Sequence, residues 1–104
     1  MAVTAKSLAR TAAATSNTTL YTVPNSSTTT VVTNIAVTNT ATSSATFTVK
    51  IDSVDLLSGV SLAANSTALF DVKQVIPANA TPKTIAGSAS ATTVNFHVSG
   101  VEIS

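Results

Sequence analysis

The chain has 104 residues, enough for one small domain, of which 44% are hydrophobic and only 9% charged, with a formal net charge of +1; ordinary soluble domains carry roughly 25% charged residues. The five basic residues, Lys6, Arg10, Lys50, Lys73 and Lys83, are scattered, so no basic stripe supports nucleic-acid binding. There is no cysteine, which excludes disulfides and thiolate metal sites; no apolar run approaches the roughly 18 residues of a membrane helix, and the start, MAVTAKSLARTAAATS, lacks the continuous apolar core of a cleaved signal. The expectation is a soluble chain with no membrane and no nucleic-acid partner.

Residues 1–18 differ from the rest in being Ala-rich and in carrying Lys6 and Arg10. A short helix from Ala5 is conceivable, but the stretch is short and weakly amphipathic. It is read as an extended N-terminal arm that orders on contact with a neighbour, with Lys6 and Arg10 as candidate interface residues, followed by a β-domain over 19–104. The β signal begins at residues 20–23, a short strand stopped by Pro24, which cannot donate to a ladder. Tyr21 and Pro24 are therefore read as the anchor of an edge strand or as interface residues. Asn25-Ser26-Ser27 is turn chemistry.

Residues 29–39 alternate, with Val31, Thr33, Ile35 and Val37 on one face and Val32, Asn34, Ala36 and Thr38 on the other. After a polar turn at 39–44, residues 45–52 alternate most cleanly: Ala45, Phe47, Val49 and Ile51 against Thr46, Thr48, Lys50 and Asp52. That is the pattern of a half-buried antiparallel strand. Residues 54–62 are ambiguous because Gly59 interrupts them. Residues 67–75 place Ala68, Phe70 and Val72 on one face. A loop is required at 77–82 by its two prolines, and 83–91 reads as a weak strand interrupted by Gly87. The last strand, 92–104, turns Val94, Phe96 and Val98 inward, with a bulge expected at Ser99-Gly100. Six to eight short strands separated by turns predict an all-β fold, an antiparallel β-sandwich or jelly-roll-like barrel. β-branched Val, Ile and Thr suit both faces of such a sheet.

Residues that carry chemistry are few. His97 is the single histidine; it shares a face with Asn95 and Ser99, away from the apolar side, and no orienting carboxylate is evident for a triad. Asp52 and Asp55 are close in sequence but do not match a calcium loop, and with three glycines there is no phosphate-binding loop. The Asn-x-Ser/Thr triplets at 17, 25, 65 and 79 arise readily in a chain so rich in Ser and Thr. Phe47, Phe70 and Phe96 fall at inward positions of three strands, and Trp is absent, so the exposed rings on which sugars stack are lacking. The expectation is no enzyme, no cofactor and no metal. Low charge leaves a monomer poorly protected against association, and a surface of Ser, Thr and Asn suits a subunit packed against neighbours.

The stretch LYTVP at 20–24, VVTNIAVTN at 31–39, ATFTV at 45–49 and VNFHVSGVEI at 94–103 resembles small structural proteins of tailed-phage virions. Asn25 stands where a glycine is common in that group. The resemblance implies a capsid cement or decoration protein in the virion, on the capsid surface, without chemistry of its own. Its implied partners are the major capsid protein and itself, as a homotrimer. A tail, neck or fibre-associated role shares the fold. A carbohydrate or host-surface binding module is the alternative from another class.

Overall fold

The computed structural model describes residues 2–104. They form nine strands: β1 Val3–Ala12, β2 Thr18–Thr22, β3 Thr29–Asn39, β4 Ala45–Ile51, β5 Val54–Leu62, β6 Ser66–Phe70, β7 Gln74–Ile76, β8 Thr84–Ala89 and β9 Val94–Ile103. Two antiparallel sheets pack face to face. Sheet I runs β1-β9-β3-β6, with β7 also on β3; sheet II runs β2-β8-β4-β5. The chain is an antiparallel β-sandwich, as the spacing of its strands and turns predicts.

The core follows from the alternation. Val94, Phe96 and Val98 from β9 and Ile35 and Val37 from β3 face Phe47 and Val49 from β4 and Ile85 from β8, all within 1% of complete burial. Phe47 of sheet II meets Phe70 and Phe96 of sheet I edge-on, at ring-centroid distances of 5.9 and 6.1 Å. Such pairs add about 0.5–1.5 kcal/mol to the burial of the rings themselves. The three phenylalanines thus tie the two sheets together.

Several expectations need correcting. Val3–Ala12, the larger part of the 1–18 arm, is neither an arm nor a helix but an edge strand, paired with β9 from Val3↔Ile103 to Ala12↔Asn95; of the rest, Ala13 is buried against the core and Thr18 opens β2, while Met1 lies outside the described residues. The pairing partner sits at the far end of the chain, and β1 buries little besides Leu8 and Ala9, so local pattern does not reveal it. In β3 the inward residues of the first half are Thr30 and Val32, not Val31 and Thr33. The register slips between Val32 and Asn34, leaving Thr33 as an extra residue that inverts the alternation.

The bulge expected at Ser99-Gly100 falls instead on the two flanking strands, at Leu8 in β1 and Thr33 in β3. Both crowd β9 at this level: a Cβ on Gly100 would sit 2.2 Å from the Val31 carbonyl oxygen and 2.9 Å from Leu8 Cδ1. Lastly, 67–75 is two strands, β6 and β7, which share β3 as partner and are separated at residues 71–73.

The ambiguous segment is β5, joined to β4 by a two-residue hairpin. Asp52 and Ser53 both have positive φ, 54° and 62°, the backbone of a type I′ turn that matches strand twist. β8 is not weak but central in sheet II, and Gly87 interrupts nothing. A Cβ there would lie 3.1 to 3.3 Å from Leu20, Thr48 and Phe96, so its smallness lets the sheets approach.

Candidate interaction surface

Tyr21 extends from β2 in sheet II across the end of the sandwich. Its hydroxyl donates to Glu102 Oε2 of β9 at 2.5 Å and lies 2.8 Å from Thr30 Oγ1 of β3. Glu102 occupies an inward ladder position, two residues beyond Gly100, and its outer side is met by Lys6 Nζ at 3.4 Å. An inward carboxylate needs such partners to offset its desolvation. Burial first, and the neighbouring Glu102 carboxylate second, push the Tyr21 phenol up to about 12. These bonds tie β2, an edge strand of sheet II, to sheet I; the Tyr21 ring is buried, while Pro24 beyond it is exposed.

The opposite end of the sandwich is closed by Asn39, fully buried at the end of β3. Its Nδ2 donates to the carbonyls of Ser43, Ala63 and Leu62 at 2.9, 3.4 and 3.5 Å, and its Oδ1 accepts from Ala41 N and Thr93 Oγ1 at 3.1 and 3.2 Å. One side chain thereby joins the β3–β4 turn, the β5–β6 connection and the start of β9. The sequence pattern marks Asn39 only as turn material.

The charged residues form a simple arrangement. Each side-chain carboxylate is met by one lysine: Glu102 by Lys6, Asp55 by Lys50 at 3.6 Å, Asp71 by Lys73 at 3.2 Å and Asp52 by Lys83 at 3.4 Å. Asp52 and Asp55 are thus each engaged by a lysine rather than converging on one point. Among the described residues Arg10 is the basic side chain left without a carboxylate. It is exposed on β1, directly across from His97 on β9. No cluster of acid, His and Cys side chains able to hold a metal, and no cleft, occurs among the described residues.

Apolar exposure falls mostly on sheet I, with Val54 apart at the β4–β5 hairpin. The large apolar side chains most open to solvent are Leu69, Val54, Val3 and Val75, at 72, 67, 64 and 62%. Val3, Leu69 and Val75 lie on the outer face of sheet I. The outward positions of sheet II instead carry Thr46, Thr48 and Lys50 on β4, Ser88 on β8 and Ser61 on β5. The two faces of one small sandwich therefore differ in character. Lys6 and Arg10 both sit on sheet I, whereas Pro24 follows β2 of sheet II; the four candidate interface residues do not converge on one patch.

No protein-family model matches the chain, and no curated protein matches it. Its fold is similar to that of a chain in the structure of infectious bursal disease virus Gx strain, with a TM-score of 0.54 and 16% sequence identity. The likeness covers 97% of this chain and 30% of that one, so the whole sandwich corresponds to less than a third of the matched viral chain. At this identity the likeness concerns the fold.

Proposed function

We propose that this chain is a structural component of a virus particle, acting by binding rather than by chemistry. The observation that carries the reading is a sandwich with unlike faces: its charges are neutralised in pairs, and one sheet exposes Val3, Leu69 and Val75. Apolar side chains gathered on one face of a small domain mark an interaction site. The fold likeness to a chain of a virus particle and the resemblance to tailed-phage structural proteins point the same way. In its fuller form the proposal is a cement or decoration protein on the capsid surface, which binds the major capsid protein as a homotrimer and stabilises the shell. Many weak attachments acting together suffice for that task.

The test is location. Particles purified from the source on a density gradient are to contain the chain in a copy number comparable to that of the shell subunits. Cryo-electron microscopy is to show two-layered density of its size on the shell. Density at the neck or tail, with a few copies per particle, replaces the capsid assignment by a tail one. Complete absence from particles ends the reading.

A further inference from the structure

The outer face of sheet I can be read row by row from the strand register. Val75 of β7, Val31 of β3, Val101 of β9 and Ala5 of β1 stand side by side across the sheet. The next row adds Ile103 and Val3, beside Thr29. These six apolar side chains form one continuous end of the face. Beyond a polar row of Asn34, Ser99 and Ser7 comes Leu69, then Ala36, His97 and Arg10.

The Thr33 bulge is what puts Val31 outside. Without the extra residue the face would keep a single parity, and Val31 would point into the core along with Ile35 and Val37.

We infer that this face is the surface by which the chain docks on a larger assembly. Its partner presents apolar side chains against the Val75-Val31-Val101 row and a carboxylate against Arg10. The inference rests on the particle reading above and names the surface that serves it. Two observations favour a foreign partner over a second copy of this chain. Every side-chain carboxylate among the described residues already has a lysine beside it, so a carboxylate on a foreign partner is the better complement to Arg10. The face is also small. Four strands about 4.8 Å apart and roughly 33 Å long have a footprint on the order of 600 Å², at the lower end of what specific interfaces bury per partner. Such a contact is weak singly and serves when it is repeated over a lattice that presents many sites. The hydroxyl-rich outer face of sheet II is left towards solvent.

The test is co-sedimentation of the full chain with purified shells lacking it. Leu69→Lys, Val75→Lys and Arg10→Glu are each to lower retention at least tenfold. Arg10→Lys is to keep most of it, and Thr46→Lys and Ser61→Lys, on the face of sheet II, are to leave it unchanged. All these side chains are exposed, and thermal melts matching the parent confirm that each variant is folded. If the parent binds and the sheet I variants bind equally well, the docking face is wrong while the particle reading stands. If the parent does not bind shells, the reading and this face fall together. If sedimentation equilibrium of the chain alone shows a dimer that Leu69→Lys dissolves, the occupant is a second copy and the assignment of a foreign partner is overturned.

Discussion

The Tyr21 hydroxyl leaves one sheet and donates to a carboxylate of the other, Glu102 Oε2, at 2.5 Å. The bond joins β2, an edge strand, to β9, an interior one, and it is made at an inward position where an unpartnered charge is costly. Tyr21→Phe removes the donor and leaves Glu102 to Lys6 alone. Stability falls by about 1–3 kcal/mol, measured as the shift in urea midpoint at neutral pH.

The same pair gives a pH dependence with a definite sign. The Tyr21 phenol, near 10 in an unfolded chain, stands at about 12 in the fold. The folded state therefore holds its proton where the unfolded state has lost it. The contribution of Tyr21 is complete below pH 10 and disappears as pH rises through 12. Between pH 8 and pH 11 the parent loses about 1.4 kcal/mol more than Tyr21→Phe. Comparing the two proteins removes the lysines that titrate in the same range. Parallel pH profiles for parent and variant defeat the assignment.

Asn39 is the second polar keystone. Asn39→Ala strands three carbonyls, a backbone N–H and the Thr93 hydroxyl at one closed end of the sandwich. Buried unsatisfied groups cost about 1–3 kcal/mol apiece, and relaxation or water recovers part of that. The expected loss is about 3 kcal/mol, a large share of the 5–15 kcal/mol typical of a domain. Amide exchange is to quicken first at residues 41 and 65, which flank the site.

Gly100 is fixed by space rather than by torsion. A methyl group there meets the Val31 carbonyl oxygen at 2.2 Å, a backbone atom that can give way only if β3 separates from β9. Gly100→Ala is expected to cost at least the 1–3 kcal/mol usual for overpacking. Its melting temperature falls well below that of Gly59→Ala, where space is open and only the positive φ of 55° opposes the side chain.

The β4–β5 hairpin offers a gain. Ser53 holds φ at 62°, a region that glycine occupies without steric cost. Ser53→Gly is to raise stability by up to about 1 kcal/mol, read from thermal unfolding, with the Lys83–Asp52 pair untouched.

Sequence patterns reveal strands whose burial is one-sided and regular. Ala45, Phe47, Val49 and Ile51 of β4 display theirs openly, and Val94, Phe96 and Val98 of β9 do the same; the three phenylalanines of the core follow directly. Pattern fails where tertiary contact decides. At Thr33 one added residue reverses which valine faces inward, and nothing local announces it. β8 looks feeble because Ala86, Gly87 and Ala89 are small, yet at Gly87 that smallness is what Leu20 and Phe96 require of a central strand. β1 carries alanines that are as compatible with a helix as with an edge, and only β9 settles the matter. The interaction surface is hidden for the same reason: Val75, Val31, Val101 and Ala5 are remote in sequence and adjacent only through the register of four strands.

The place of β9 between β1 and β3 has a consequence for synthesis. Both neighbours leave the ribosome before it and stay without their shared partner until residues 94–103 emerge. Until then β1 has no ladder partner and β3, paired with β6 and β7 on one side, keeps its other edge open, and closing β1 onto β9 joins residues as remote in sequence as Val3 and Ile103. Slow, late closure of this kind leaves sticky backbone open to other chains. Lys6 and Arg10 put charge along the β1 edge, which disfavours pairing with such chains.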